Sequence, residues 1–344
     1  MGNNAIFAFM ALLILFTVNN NGFNEDDLMA VQNSYGYVKT AAAQSITYSV
    51  VDLARFNYEN GGSFPYSGTI NGGSFTATAS FTGDTVQLLT SASYDDSIYN
   101  VNTTLLRVAK PFPNLGAALG LSMDPIPSTF VASGYNDTTD NRDWNSGGTI
   151  PGSVSTYDIS VINKADSATA KTLIGQSALK NINIMSSSQK IIVNASLPNP
   201  VQYLNEYIAD ADSVFTSSST ITGSRTWGTS ASPKIIVVNG DSLRSASVGG
   251  TIEGWGVLIL QRTVSFIGVF KWHGLVIAQT SPSLSFTSTT AQPLIVGSML
   301  TTAPPAGSYA IRGNLTVRYS SAALSNAQNN IRKLQSYKIL NWYE

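Results

Sequence analysis

The chain has 344 residues, of which 11% are charged, and its 19 Lys and Arg residues nearly balance 20 Asp and Glu residues, for a net charge of -1. This low, balanced charge excludes a basic nucleic-acid-binding surface and makes other proteins the expected partners. The sequence contains no Cys, which excludes disulfides and thiolate metal sites. A chain of this length can bury a sizeable core and suggests about two domains.

The N-terminal residues 5–18 form an apolar stretch whose only polar residue is Thr17. The stretch is shorter than the roughly 20 residues of a permanent transmembrane helix. A secretory signal usually begins with basic residues, yet the first Lys or Arg of this sequence is Lys39. A signal peptide or a simple N-terminal anchor remains the alternative to a segment that serves assembly.

A long, interrupted helix is predicted for residues 1–60. Asn and Gly residues weaken the helix at 19–22, and Asn24 is a suitable N-cap for a new start, with acidic residues following it. From Leu28 to Leu53, apolar residues recur at spacings of three and four, which is typical of an amphipathic helix. The predicted helix ends near Asn60.

Residues 61–109 are predicted to form an antiparallel β-meander, because short alternating runs are separated by turn residues. Prolines that begin at Pro111 predict a linker and a domain boundary near residue 110. Residues 110–230 are predicted to mix strands and loops with short helices at 167–176 and 200–215.

Four apolar runs recur within residues 231–325, at 235–238, 257–260, 275–277 and 294–296, with a turn predicted at 272–274. A fixed period of about 20 residues is typical of a β-solenoid, in which each coil buries its apolar row against the next. An antiparallel sandwich is the alternative. Residues 326–344 are predicted to form a C-terminal tail. The predicted fold class is α+β, with a long helix, a β-meander and a large, mainly β domain.

This order of elements resembles a type IV pilin, in which an apolar N-terminal helix precedes a β-rich head. Residues 236–241, 254–259 and 268–277, together with the tail segments 318–324 and 339–344, resemble the C-terminal region of large bacterial pilin-like proteins of the PilX-type group. The resemblance implies a structural subunit of an extracellular, type IV pilus-like filament that is inserted in the inner membrane before assembly. Its implied partners are further copies of the chain and the pilus assembly machinery.

The resemblance also assigns roles to individual residues. It implies that the following side chains pack in the filament core: Ile6, Phe7, Phe9, Met10, Leu12, Leu13, Ile14, Leu15 and Phe16. It places the helix break at Asn19, Asn20, Asn21 and Gly22.

A membrane-anchored surface adhesin or carbohydrate-binding module is the alternative function, and a minor pilin at a filament tip lies between the two. Four Trp residues, if exposed, would stack on the sugar rings of a surface or glycan ligand: Trp144, Trp227, Trp255 and Trp272. Asn-X-Ser/Thr triplets begin at Asn102, Asn136, Asn194 and Asn314, but such triplets arise often by chance in a chain of this composition.

Few residues of this sequence could perform catalysis. His273 is the single His, and Asp241 with Glu253 is the first pair of acids to consider for carboxylate chemistry. Asp137, Asp140 and Asp143 could bind Ca²⁺ in the polar loop 132–152, although local turns formed by Asn and Asp explain that loop better. We therefore expect a protein that is not an enzyme and has no cofactor or metal.

Overall fold

The computed structural model shows an α+β protein with a large β part. It describes residues 2–113, 115–123, 126, 131–133, 142–155, 157–162, 191–216, 219–221, 224–239, 243–245, 251–261, 264–279, 284–287, 293–302, 310–313 and 315–343. Several predicted features lie outside the described residues: the helix at 167–176, Asp137, Asp140, Asp241 and the triplets that begin at Asn136 and Asn314. The chain forms two compact units, one of Met1–Val108 with Ser336–Glu344 and one of Ala109–Gln335.

The helices are α1 (Gly2–Glu59), α2 (Pro200–Ala209) and α3 (Ser321–Asn330), followed by a 3₁₀ turn at Arg332–Leu334. The strands are β1 (Tyr66–Ile70), β2 (Gly73–Thr82), β3 (Thr85–Tyr94), β4 (Ser97–Ala109), β5 (Ala117–Leu121), β6 (Val131–Ser133), β7 (Arg142–Trp144), β8 (Pro151–Ser155), β9 (Tyr157–Val161), β10 (Ile191–Val193), β11 (Ser213–Phe215), β12 (Ser219–Ile221), β13 (Arg225–Trp227), β14 (Lys234–Val238), β15 (Leu243–Ser245), β16 (Thr251–Leu260), β17 (Val264–Ile267), β18 (Val269–Gln279), β19 (Leu284–Thr287), β20 (Leu294–Thr302), β21 (Ala310–Gly313), β22 (Thr316–Tyr319) and β23 (Gln335–Tyr343).

The first unit packs the C-terminal part of α1 against one face of an antiparallel sheet. The strand order is β1-β2-β3-β4-β23, so the meander of β1 to β4 is extended by the last strand of the chain. Alternate residues of the strands point toward the helix, as their alternating burial shows. The core comprises Ile46, Val50, Val51 and Ala54 of α1 with Phe75, Ala77, Val86, Leu88, Ala92, Val101, Leu105 and Tyr337 of the sheet.

The helix break predicted at residues 19–22 is not formed, because α1 is continuous from Gly2 to Glu59. Asn and Gly are poor helix formers, but each costs only about 1 kcal/mol or less relative to Ala. No Pro occurs in this stretch, so no backbone hydrogen bond is removed and no ring blocks the preceding turn. The acidic residues at 25–27 therefore lie within a continuing helix rather than at the start of a second one.

The second unit is built around a large sheet in which all the strands run parallel. The strand order is β10-β9-β5-β20-β18-β16-β14-β11, while β13 and β22 pair with parts of β16 and β20. After β16, β18 and β20 the chain crosses to a smaller parallel sheet of order β17-β19-β21-β6. The chain therefore alternates between two sheets from β16 to β21, and it moves along by one strand at each return.

Both faces of the large sheet are buried. Ile236, Leu258 and Val276 belong to the apolar cluster on one face, together with Phe266 of β17 in the smaller sheet. Their neighbours along the strands belong to a second cluster, in which α2 and α3 contribute Leu204 and Leu324. Burial on both faces explains why these strands have continuous apolar runs instead of alternating ones.

Stacked glycines fix the register of the central strands. Gly256, Gly274 and Gly297 are paired across β16, β18 and β20 and have φ angles of 120°, 126° and 140°. A Cβ at Gly274 would overlap the carbonyl oxygen of Gly256. Only glycine fits such a column, because the φ values disfavour any side chain and the neighbouring backbone occupies its place.

This column corrects the predicted stacking of the fourth apolar run. Residues 235, 257 and 275 are paired in register as the sequence indicates, but Leu275 pairs with Ser298 and not with Leu294. Leu294 pairs instead with Lys271. The alignment of Gly297 with Gly274 sets this shift of four residues. Because side chains alternate between the two faces of a strand, a shift by an even number of residues leaves the same side chains facing inward.

Gly274→Ala should destabilise the second unit by about 2 to 3 kcal/mol, since it adds both backbone strain and a clash with the carbonyl of Gly256. Gly147→Ala is the control, because a Cβ at Gly147 meets no atom closer than 3.7 Å. Thermal unfolding of both variants measures the difference. A melting temperature of Gly274→Ala equal to that of Gly147→Ala would show that the glycine column has no steric role.

Candidate assembly surface

The N-terminal part of α1 exposes its side chains in every direction. Each described side chain among residues 9–38 is exposed, and Ala43 is the first buried one along the helix. At a rise of about 1.5 Å per residue, the part that precedes Ala43 is roughly 60 Å long. The C-terminal part of the helix belongs to the core of the first unit, whereas this N-terminal part extends from it.

Residues 9–16, here called the assembly segment, form the most apolar part of this exposed helix. Their large side chains are each 55 to 73% exposed: Phe9, Met10, Leu12, Leu13, Ile14, Leu15 and Phe16. Eight consecutive helical residues cover more than two turns, so apolar groups face all sides. A helix that is apolar all round is normally buried, and its exposure in a single chain therefore indicates a surface that needs a partner.

The structure places all the predicted core-packing residues on one helix. Seven of the nine lie in the assembly segment with exposed side chains. Ile6 and Phe7 also belong to α1, but their side chains lie outside the described residues. Among the parts of the chain that the structure describes, no helix has an apolar stretch long enough to cross a membrane.

Burial of the assembly segment would release a large amount of free energy. Moving one Leu or Phe side chain from water to an apolar environment stabilises by about 1.5 to 3 kcal/mol. Seven partly exposed side chains are therefore worth on the order of 10 kcal/mol. This is comparable with the roughly 4 to 15 kcal/mol that association costs in lost translational and rotational freedom.

Acidic residues interrupt the apolar surface of α1. The side chains of Glu25 and Asp27 are exposed, and beyond them a second group of exposed apolar side chains includes Leu28, Met29 and Val31. No Lys or Arg precedes Lys39 in the sequence, so α1 itself offers no nearby cation to these carboxylates. A dry contact between helices can therefore include the assembly segment but should end before Glu25, since an unpaired buried carboxylate is costly.

A polar contact marks the place where α1 meets the sheet. Asp95, in the turn between β3 and β4, accepts a hydrogen bond from the Tyr35 hydroxyl at 3.1 Å and lies 3.4 Å from the Lys39 ammonium. The same ammonium lies 4.5 Å from the centre of the Tyr35 ring. Sequence patterns do not predict this contact, because nothing in the sequence brings residue 95 next to residues 35 and 39.

The aromatic residues that were candidates for sugar binding mostly pack within the protein. Trp272 is fully buried, and its indole N–H donates to the carbonyl oxygen of Gly256 at 3.2 Å. Trp227 packs against Phe215 and Trp272. The Arg318 guanidinium lies over the Trp144 ring at 4.2 Å. Trp255 is half-buried and stacks on the imidazole of His273, with ring centres 3.8 Å apart.

His273 lies in the middle of β18 rather than in a turn, so the turn predicted at 272–274 is wrong. Gly274 has a positive φ but does not end the strand, because its backbone stays paired on both sides. The imidazole is 1% exposed, with Nδ1 2.7 Å from the carbonyl oxygen of Ser146 and Nε2 3.3 Å from Oε1 of Glu253. The proposed partner of Glu253, Asp241, lies outside the described residues.

Desolvation by burial lowers the pKa of His273 below its ordinary value, and the nearby Lys271 lowers it further. The Ser146 carbonyl and Glu253 act in the opposite direction without cancelling the effect of burial. In the neutral ring, Nδ1–H donates to Ser146, and the Glu253 carboxylate has the Lys271 ammonium as its partner at 3.7 Å. This arrangement links the loop at Ser146 to β18 of the sheet.

Stability of the second unit should therefore fall in mild acid. Because the pKa of His273 is lowered in the folded state, the unfolded chain binds the proton more readily. The contribution of neutral His273 to the free energy of unfolding is therefore fully present above about pH 6.5, the ordinary pKa of His. It is lost as the pH falls through the pKa of the folded state. His273→Gln keeps an N–H donor for Ser146 but does not titrate. Denaturant unfolding between about pH 7 and pH 5 should show a smaller decrease for this variant, and equal decreases would contradict the assignment.

Of the three acids predicted to bind Ca²⁺, only Asp143 lies among the described residues, and its carboxylate is held by protein contacts. Asp143 accepts hydrogen bonds from the backbone N–H of Ser321 at 2.8 Å and from the Ser321 hydroxyl, at the start of α3. Among the described residues, no group of three His, Asp or Glu side chains is placed to hold a metal ion.

No family profile and no curated protein sequence matches this chain. One solved structure similar to it is the competence-associated pilin ComZ from Thermus thermophilus, with 9% sequence identity. The match covers 89% of this chain and 96% of that one, with a TM-score of 0.21. A TM-score this low does not establish a common fold.

Proposed function

We propose that this protein is a structural subunit of an extracellular, type IV pilus-like filament and that it assembles through α1. The observation that carries the proposal is the assembly segment, where seven large apolar side chains are exposed around one helix. Such a surface is unstable in water and gains free energy when it contacts further copies of itself. One helix from each copy would then form the dry centre of the filament.

Before assembly, the same segment needs another apolar environment. The inner membrane provides it, and the pilus assembly machinery would transfer the subunit from the membrane to the growing filament. Residues 5–18 contain no charged side chain and only one polar one, Thr17, so this part of α1 carries no charge penalty against insertion into the bilayer. Glu25 and the acidic residues after it would remain at the aqueous boundary in both states.

We further propose that the second unit is a β-solenoid displayed on the filament. The support is the alternation of the chain between two parallel sheets and the pairing of like residues at each return, above all the glycine column. Each coil buries its apolar row against the next, which lets a chain without disulfides maintain a stable head. The proposal includes no enzymatic activity and no cofactor.

A surface adhesin or a minor pilin at the filament tip is the second candidate. It is favoured by the Trp255 ring, which is half-buried and lies near Glu253 and Lys271, whose side chains are 39% and 32% exposed. The ring could pack on the apolar face of a sugar while the charged groups hydrogen-bond to its hydroxyls.

Electron microscopy of material sheared from the cell surface separates the two candidates. The filament proposal predicts fibres in which this chain is the repeated, major subunit. Monomeric protein in the sheared material, or fibres in which this chain is present only in trace amounts, would contradict it in favour of the adhesin or the tip pilin.

A further inference from the structure

We propose that Asn194 is an attachment site for an N-linked glycan and that the cleft beside it holds the first sugar. This inference rests on the proposed function, because it requires that the chain leave the cytoplasm. Asn194, Ala195 and Ser196 form an acceptor triplet, which needs a surface turn to be modified. The geometry, rather than the triplet alone, singles out this site.

Asn194, which is half-buried, begins a hydrogen-bonded turn between β10 and α2. Its carbonyl oxygen accepts a hydrogen bond from the N–H of Leu197 at 2.9 Å, and its side-chain oxygen accepts one from the N–H of Ser196 at 3.0 Å. The Leu197 side chain is buried and anchors the turn, while Ala195 and Ser196 are exposed. Because the side-chain oxygen is held by Ser196, the amide nitrogen is the end of the group that is left to react.

The other described triplet has a different environment. Asn102 lies in the middle of β4 and is paired with Leu89 of β3. The backbone there is extended and part of a regular ladder, and the Thr103 side chain points into the core. An enzyme that needs a bent Asn-X-Ser/Thr segment can reach residues 194–196 in the folded protein, whereas it would have to unpair β4 at Asn102.

A cleft of about 540 Å³ adjoins the turn and is polar enough for a sugar. Its polar lining comprises Asn194, Ser196, Asn199, Gln202 and Tyr203. The Asn199 side-chain oxygen is held by the N–H of Val201 at 3.0 Å, which orients its amide N–H₂ group as a donor. Amide groups suit sugar hydroxyls and a Tyr ring suits a sugar face, so the cleft matches a polar ligand attached at its rim.

The modification joins the Asn194 amide nitrogen to C1 of a sugar that is activated as a lipid-linked phosphate or pyrophosphate ester. The C1–N bond forms as the C1–O bond to phosphate breaks. The lipid phosphate leaves with the bonding electron pair, and the amide nitrogen loses one proton. No oxidant or reductant is required.

Glycopeptide mass spectrometry of protein isolated from the native cell surface tests the proposal. The peptide that contains Asn194 should carry a sugar mass, which Asn194→Gln and Ser196→Ala should abolish and Ser196→Thr should retain. Asn102→Gln is the control and should leave the mass of the intact protein, apart from the substitution, unchanged.

An unmodified Asn194 in assembled surface filaments would overturn the glycan proposal alone and leave the filament proposal intact. A sugar on Asn102 with Asn194 unmodified would overturn the structural argument for the turn and the cleft. Retention of the chain inside the cell would overturn both proposals.

Discussion

Leu258→Asp is expected to unfold the second unit. Leu258 is fully buried and lies in the interior cluster of the large sheet, between Ile236 on β14 and Val276 on β18. An aspartate there would have apolar neighbours on both adjoining strands, and an unpaired buried charge costs several kcal/mol. That is a large share of the 5 to 15 kcal/mol that typically stabilises a domain. Loss of the near-ultraviolet circular dichroism signal and of protease resistance would show the unfolding.

Val201→Asp is the matched control for that variant, since it replaces an apolar side chain by the same acid. Val201 is 48% exposed and lies in the first turn of α2, where a carboxylate interacts favourably with the helix dipole. We expect its free energy of unfolding to change by less than about 0.5 kcal/mol. If the two variants lost stability equally, Leu258 could not face the interior of the sheet.

Leu13→Glu is expected to prevent assembly without unfolding either unit. Leu13 is 55% exposed in the single chain and lies near the middle of the assembly segment, so a glutamate is tolerated there in water. In a dry contact between helices the same carboxylate would cost about 3 kcal/mol or more. The protein concentration needed for fibres should therefore rise by roughly 100-fold. Sedimentation of assembled material across a concentration series measures this threshold.

Ile98→Glu is the control for assembly. Ile98 is 66% exposed on β4, so this variant introduces the same charge at another exposed apolar position of the first unit. It should keep a threshold within about twofold of the native value, because surface substitutions outside a contact change free energies by roughly 0.5 kcal/mol or less. An equal rise for both variants would mean that added charge, rather than its position on α1, prevents assembly.

The sequence predicts the broad fold because its patterns are local. The alternation of apolar and polar residues in 73–94 indicates strands with one buried face, and the burial of their side chains alternates in the structure. The continuous apolar runs of β14, β16 and β18 indicate strands buried on both faces, and the structure covers those faces with a second sheet and with helices. In each case the pattern reflects which side of a short segment avoids water.

Features that depend on pairing between distant residues could not be predicted in this way. Residues 117–121 lie among prolines that predict a linker, yet β5 pairs with β20 and β9 within the large sheet. A run of five residues is too short for its hydrophobic pattern to identify a strand. The strands with which it pairs are also far away in the sequence. The shift of the fourth apolar run likewise follows from the stacked glycines, whose backbone angles are a property of the folded sheet.

The candidate assembly surface was more accessible to prediction than the surroundings of His273. Apolar composition alone identifies the assembly segment, and only its exposure had to come from the structure. The stack of Trp255 on His273, by contrast, requires the register of β16 with β18, and the contact with Ser146 joins residues 127 positions apart. The prediction of a break in α1 is wrong for another reason. Helix propensity is a weak guide there, because each unfavourable residue lowers the stability of the helix by so little.

Protection of a single cysteine would show directly whether the assembly segment is the contact between copies. The native chain has no Cys, so Leu13→Cys introduces one unique thiol, and Val201→Cys provides an exposed reference on α2. Native surface filaments of each variant would be treated with a water-soluble maleimide before and after dissociation. Cys at position 13 should be labelled only after dissociation, while Cys at position 201 should be labelled in both states. Equal labelling of both positions in intact filaments would contradict this prediction.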